Sequence, residues 1–251
     1  MKVSIVTVSL NSHATIEDTI ISVVNQTYPA IEHIIIDGGS KDGTVNIIHK
    51  YSNKIKKLVS EPDKGIYDAM NKGINLATGE IVGFLNADDV YFDKECVAHV
   101  VNEFRAKNVD SVFADLVYVY PDNLMKVVRY YSSKKFSPRQ FAYGWMPAHP
   151  TFFAKRNCYG LYGLFKTDYM IASDYELLIR FLSKYKITYS YIPKVLVKMR
   201  MGGISTRNLK NNWILNREII RACSENGIKT NMLKVLSKYS TKALQLIEKP
   251  K

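Results

Sequence analysis

Cysteine is scarce in this chain, with only Cys96, Cys158 and Cys223 among 251 residues. An odd number of widely separated thiols excludes a disulfide framework and a CxxC metal site, and fits a reducing, cytoplasmic compartment. Long apolar runs are also missing. No stretch approaches the roughly 18 apolar residues expected of a membrane-spanning helix. The N-terminal MKVSIVTVSLNS interrupts its apolar run with polar residues, so it reads as a buried first strand rather than a signal peptide. Acidic residues are in deficit, 23 against 35 basic ones, for a net charge of +12. Such a field draws phosphates, nucleic acid or an anionic membrane without choosing among them. The basic residues are scattered and no nucleic-acid motif is present, which argues against nucleic acid as the partner. No internal repeat or low-complexity segment appears.

What is present describes a globular α/β protein. The hydrophobic fraction of 47% and the charged fraction of 23% suffice for a sizeable core. Apolar, β-branched runs at residues 3–10, 31–36, 57–60, 81–85 and 110–114 read as strands. Between them, helical spacing at 15–26, 44–51, 66–77 and 96–104 places apolar residues on one face. Alternation of this kind predicts parallel βαβ units with helices on both faces of the sheet. The second half changes character. Residues 116–120 and 124–131 flank Pro121-Asp122-Asn123 as a hairpin, 132–149 is irregular, 151–154 and 187–192 are strand-like, 174–185 is helical, and two helices follow from about residue 208.

Ligands in such sheets bind beyond the carboxyl ends of the strands, and four polar clusters fall there. They are Ser9-Leu10-Asn11, the run from Asp37 to Gly43, the run from Glu61 to Gly65, and Asn86-Ala87-Asp88-Asp89. One cluster alone would be turn chemistry; four at one predicted edge point to a shared pocket. Adjacent carboxylates at the last cluster suit Mg²⁺ or Mn²⁺, which prefer oxygen ligands and often share them with substrate phosphates. The competing reading of Asp88-Asp89 is an N-cap for the following helix.

The segments VSIVTVSLN, IIIDGGSKDGT, SEPDKGIYDAMNKGINLATGEIVGFLNADD, HPTFF and ASDYELLIR, in this order and spacing, resemble family 2 glycosyltransferases of the GT-A fold through roughly residue 205. The long middle segment is specific, each short one weak; MGGIS at 201–205 also recurs in bacterial polysaccharide-type members. The resemblance implies a GT-A, Rossmann-like, mostly parallel central sheet and transfer of a sugar from a nucleotide-diphosphate donor, usually a UDP-sugar, with inversion. It implies that Thr7 and Asn11 line the nucleotide pocket, that Asp37 hydrogen-bonds the nucleobase, and that Asp63 and Lys64 approach base and ribose. Asn86, Ala87 and Asp88 take the DXD position, with Asp88 on the metal. Asn86 replaces the first acid of that motif and removes a charge, which predicts weaker metal binding. Asp174 matches the general base. Glu176, two residues along a predicted helix, would face elsewhere.

Other residues keep two readings each. His149 is placed to approach diphosphate or metal, or is structural. Arg200 and Arg207 are rigid phosphate donors or solvated surface. Trp145 is a sugar platform or core. The expected domains are a catalytic unit at 1–207, divided into a nucleotide-sugar half at 1–115 and an acceptor half at 116–207, and a helical extension at 208–251. In that extension Lys229, Lys234, Lys238, Lys242, Lys249 and Lys251 are interspersed with Leu233, Leu236, Leu244 and Ile247, a pattern that suits a peripheral contact with the inner face of the plasma membrane or a solvated helix packed on the catalytic unit. The expected acceptor is a saccharide or lipid-linked saccharide of cell-surface polysaccharide or oligosaccharide synthesis. A sugar nucleotidyltransferase is the rival enzyme, but Ser9-Leu10-Asn11-Ser12-His13 lacks the glycine its phosphate loop needs. A basic protein binding nucleic acid or membrane without catalysis is the rival binding function, and the Asn86 replacement leaves an inactive homologue as a third reading. Sugar, acceptor and oligomeric state are not specified by the sequence.

Overall fold

The computed structural model describes residues 1–202 and 209–239. The first half follows the periodicity. Strands β1 (Val3–Ser9), β2 (Ile31–Asp37), β3 (Lys57–Ser60) and β4 (Ile81–Phe84) alternate with helices α1 (Ile16–Val24), α2 (Thr44–Lys50) and α3 (Ile66–Leu76). These strands pair in parallel in the order β3-β2-β1-β4. Period-two alternation sorts their side chains. Ile34 and Ile36 of β2 join Met70 and Ile74 of α3 in one cluster, whereas Ile35 faces Ile16, Ile20 and Ile48 on the opposite side. Helices therefore cover both faces, as expected.

Beyond β4 the sheet is not mostly parallel. The later strands are β5 (Val90–Tyr91), β6 (Ser111–Tyr120), β7 (Asn123–Tyr131), β8 (Phe153–Lys155) and β9 (Tyr189–Arg200). Among them β4–β8, β6–β8, β6–β7 and β5–β9 pair antiparallel, and only β6–β9 pairs parallel. The sheet is mixed because a hairpin joins β6 to β7 and long connections bring β8 and β9 back antiparallel to β4 and β5. The hairpin around Pro121-Asp122-Asn123 is present. The two short strands expected at 110–114 and 116–120 are one strand, with an irregularity against β9 at Asp115. There the buried Asp115 carboxylate accepts hydrogen bonds from Tyr130, Tyr191 and the Ser133 N–H.

The remaining helices are α4 (Cys96–Lys107), α5 (Arg156–Tyr162), α6 (Ser173–Ile179), α7 (Leu209–Glu225) and α8 (Met232–Leu236), with one turn of π-helix at Arg180–Lys184 continuing α6. Arg180 lies at that join, donating to Leu164 O at 2.7 Å and Gly163 O at 2.8 Å and pairing with Glu176 at 2.9 Å. Ile219, Ala222 and Cys223 of α7 and Val235 of α8 belong to the same core cluster as α3 and α6. The boundary expected at 207/208 therefore does not separate two cores.

A polar network closes the amino end of the sheet. Glu32 is buried, and its carboxylate takes hydrogen bonds from Ser4, Thr78 and the Gly79 N–H and pairs with Lys2. Burial alone would raise its pKa, but these partners bring it down to about 2. His33, also buried, is pushed down to about 3 by desolvation and stays neutral, with Nε2 2.9 Å from Thr7 Oγ1. Unfolding releases His33 to protonate near its ordinary value of 6.5. Stability should therefore be pH-independent with respect to His33 above 6.5 and fall below it by about 1.4 kcal/mol per pH unit, with Glu32 adding to the loss as pH drops below 4.5 towards 2. Urea denaturation at stepped pH should show this acid limb, and His33→Gln should flatten its part between pH 6.5 and 4.5.

Candidate active site

A parallel ladder ends all of its strands at one edge, so the loops after β1, β2, β3 and β4 are neighbours. Asp37, the last residue of β2, ties three of them together. Its Oδ1 accepts from Ser9 at 3.0 Å and from Ser40, and its Oδ2 accepts from the Ser40 N–H at 2.9 Å, the Gly39 N–H at 3.1 Å and Ser60 at 2.8 Å. Burial would raise this carboxyl, yet the hydrogen bonds led by Ser40 outweigh it and hold the pKa below the ordinary value. Asn11, at φ +50°, accepts from the Lys41 N–H at 3.0 Å and donates its own N–H to Ser40 Oγ at 2.8 Å. Asp63 accepts from the Gly65 N–H at 2.8 Å and lies against Gly38, where a Cβ would come within 2.6 Å of its carboxylate. A side chain at position 38 would therefore have to displace the Asp63 carboxylate. Lys64 is exposed and lines, with residues 65–68 and 167–170, a cavity of about 330 Å³.

Thr7 does not line this edge. It lies fully inside the sheet, and its hydroxyl is engaged by His33. The alternation of β1 that carries Val6 and Val8 to one core leaves Thr7 on the opposite, buried face.

The fourth loop prolongs β4. Leu85 and Ala87 donate their N–H groups to Val6 O and Val8 O, so the segment stays laddered to β1. The Ala87 methyl packs against Ile16 and Ile20 of α1. Asp88 is half-buried, and burial raises its carboxyl above the ordinary value while Arg200 opposes the shift. Asp89 is fully buried. Burial first, and then the Asp88 charge, push its carboxyl far above the usual range. Among the described residues Asn86 Oδ1 is buried without a hydrogen-bond partner, while the Arg200 backbone N–H favours the ionised Asp89 carboxylate. A buried amide oxygen is seldom left bare, and Asn86 Oδ1 near the half-buried Asp88 carboxylate is the oxygen-only kind of donor set that suits Mg²⁺ or Mn²⁺. Among the described residues no group of three or more His, Cys, Asp or Glu side chains gathers into an all-protein metal site.

Arg200 proves to be a strut. Its guanidinium is buried and donates to Asp88 O at 2.7 Å and Pro121 O at 3.1 Å while pairing with Asp18. The planar fork that would suit a phosphate is thereby committed to three protein acceptors. Arg207 lies outside the described residues. Trp145 is half-buried, with its ring 5.5 Å from that of Tyr131.

The antiparallel β4–β8 pairing carries residues that enter β8 to the edge that β4 leaves, which brings His149 to the site. Its Nδ1 lies 3.4 Å from Asp174 Oδ2, a partnership the sequence did not suggest. Asp174, in the first turn of α6, is mostly enclosed; burial raises its carboxyl and His149 pulls it back. Glu176 is completely buried and held by Arg180 and Lys166, turned away from Asp174 as the helical spacing required. Tyr67, which sequence periodicity left unmarked, donates its hydroxyl to Ile171 O and so joins the start of α3 to the segment before Asp174.

Arg200→Ala should cost about 2 kcal/mol through the loss of charge-assisted hydrogen bonds, read as a lower urea midpoint. Arg200→Lys should not restore it, because one ammonium cannot reach three diverging acceptors.

Comparison with known proteins agrees with this geometry. The model of Glycosyl transferase family 2 matches residues 4–161. A PGL/p-HBAD biosynthesis glycosyltransferase of Mycobacterium bovis (strain BCG / Pasteur 1173P2) is 28% identical over 222 residues, covering 87% of this chain and 82% of that protein. An uncharacterized glycosyltransferase of Mycobacterium tuberculosis (strain ATCC 25618 / H37Rv) is 34% identical over 181 residues, covering 71% and 68%. Among solved structures, S. aureus TarS 1-349 in complex with UDP-GlcNAc superposes with a TM-score of 0.70 at 17% identity, covering 97% of this chain and 73% of that one. The mannosyltransferase PcManGT from Pyrobaculum calidifontis, in complex with GDP-Man and Mn²⁺, gives 0.61 at 18% identity, covering 99% and 81%. The fold is GT-A, with its sheet mixed in the second half, and the chain belongs to glycosyl transferase family 2.

Proposed function

We propose that this glycosyltransferase moves a sugar with inversion from a nucleotide-diphosphate donor, a UDP-sugar by preference, to a hydroxyl of a saccharide or lipid-linked saccharide in cell-surface polysaccharide or oligosaccharide synthesis. The observation that carries the reading is a mostly enclosed carboxylate, Asp174, paired with His149 at the sheet edge where the loops after β1 to β4 meet. The ligands of the two structural neighbours, UDP-GlcNAc in one and GDP-Man with Mn²⁺ in the other, support a nucleotide sugar and a divalent ion here as well.

The loops tied by Asp37, Asn11 and Asp63 hold the nucleotide, with the Asp37 hydrogen bonds setting their shape before any base arrives, and Lys64 reaches over the donor from its exposed position. Asp88, with the amide oxygen of Asn86, would hold Mg²⁺ or Mn²⁺, whose charge stabilises the departing diphosphate. Asp174 accepts the proton of the acceptor hydroxyl while that oxygen bonds to the anomeric carbon and the bond from that carbon to the diphosphate breaks. Its raised pKa makes it a stronger base than an exposed carboxylate, provided it is ionised. One displacement from the opposite face inverts the anomeric centre. His149 orients Asp174 through Nδ1, and its other nitrogen remains for diphosphate or metal. Trp145, beside Tyr131, offers an aromatic face to an acceptor sugar.

The membrane contact is proposed on a narrower surface than the lysine pattern implied. Among the described residues no helix is long and apolar enough to cross a membrane. Leu233 is 80% exposed and Trp213 57% exposed. Lys238, by contrast, is buried and donates to Asn216 Oδ1 at 2.7 Å, so it packs the helices together instead of facing lipid. Lys242, Lys249, Lys251, Leu244 and Ile247 lie outside the described residues.

Asp174→Asn should reduce transfer by about 10²-fold or more with donor affinity retained in calorimetry; unchanged turnover rejects the base assignment. Asp88→Ala should abolish the melting-temperature rise that a nucleotide sugar gives only with Mn²⁺, and the same screen across UDP-, GDP- and dTDP-sugars identifies the base. Leu233→Glu should weaken cosedimentation with vesicles containing anionic lipid; undiminished binding removes α8 from the contact.

A further inference from the structure

The segment before Asp174 is gripped from the C-terminal helix. On α7, Glu218 accepts hydrogen bonds from three successive backbone N–H groups: Met170 at 2.6 Å and Ile171 and Ala172 at 2.8 and 2.9 Å. Ala172 is the N-cap of α6 and has no side chain with which to cap it. The Glu218 carboxylate, arriving from another helix, gathers the three N–H groups that lead into α6, the last of them at its N-cap position. Tyr67 holds the carbonyl of Ile171 from the other side, so that one residue is pinned from both α3 and α7. Asp174 follows two residues after Ala172. Farther along α7, Arg221 pairs with Asp168, and Glu225 accepts from Tyr169 at 2.9 Å and pairs with Lys166 at 2.7 Å. These contacts hold the outer part of the same loop, whereas Glu218, of these α7 side chains, grips the residues that lead into α6.

We propose that Glu218 is a positioning residue for transfer: by gathering the N–H groups of residues 170–172 it fixes the start of α6, and with it the direction in which the Asp174 carboxylate meets the acceptor hydroxyl. The inference rests on Asp174 being the base. It makes α7 a working part of the catalytic unit, because the chain must have folded through residue 218 before Asp174 is held in place. Glu218 touches neither donor nor acceptor in this scheme. Its effect belongs in kcat, since a carboxylate held in the wrong direction slows proton removal without loosening the nucleotide loops on β1 to β4.

The test compares Glu218→Gln with Glu225→Gln, which loosens the same loop away from Asp174. The probe is nucleoside diphosphate released from a nucleotide sugar with Mn²⁺, with water or an octyl glycoside as acceptor, alongside donor Kd by calorimetry and melting temperature. Glu218→Gln should lower kcat by about tenfold or more, as misplaced catalytic groups do, with donor Kd within about twofold of wild type, whereas Glu225→Gln should leave kcat within about twofold. Glu218→Asp, which keeps the charge on a shorter arm, should recover part of the loss. Equal kcat losses in Glu218→Gln and Glu225→Gln, or a weakened donor Kd with unaltered kcat, overturn the positioning role. Wild-type turnover in Asp174→Asn is a different failure: it removes the base assignment itself, whatever Glu218 does.

Discussion

Four parallel strands ending at one edge of a sheet create the constraint on which this protein depends. Each strand delivers a loop rich in Asp, Asn, Ser and Gly to the same place, and those loops must satisfy one another's polar groups in a site that water only partly reaches. Asp37 meets that demand. Its carboxylate collects hydroxyls and N–H groups from the ends of β1 and β3 and the loop after β2, so this part of the edge is organised by a charge that is already well partnered. The loop after β4 is treated differently. Among the described residues Asn86 Oδ1 keeps a buried oxygen with no protein partner, a costly arrangement in a folded chain.

The two halves of the sheet therefore serve different ends. The parallel half presents the polar loops. The antiparallel half, entered through β8, returns the chain so that His149 and then Asp174 arrive at the edge the first half has built. Arg200, at the end of β9, locks the halves together by reaching from the last strand to the Asp88 carbonyl and to Asp18 on α1. A guanidinium used in this way is lost to substrate, but it fixes the backbone that carries the DXD-type carboxylates.

The C-terminal helices extend this division of labour. Their apolar residues enter the common core, and the polar face of α7 is spent on the loop before α6. Lys238 shows how composition can mislead here. It contributes to a basic pattern along the chain, yet in the fold it is sealed between helices by Asn216. Leu233 and Trp213 remain outward.

Much of this was legible in the chain itself. Hydrophobic periodicity determined the βαβ half almost to the residue, because each of those elements buries a face whose spacing is set by local geometry. The matching segments determined the family, and the helical spacing of Asp174 and Glu176 determined which of the two could face the site. Tertiary structure alone decided the rest. Thr7 and Arg200 have the residue types of a binding site, but strand alternation turned one inward and three distant carbonyl and carboxylate oxygens claimed the other. The pairing of His149 with Asp174, and the grip of Glu218 on residues 170–172, join positions far apart in sequence with no periodic pattern between them. Such contacts depend on how strands and helices pack, since the energy of a hydrogen bond is local in space and leaves no trace in the order of residues that separates its partners.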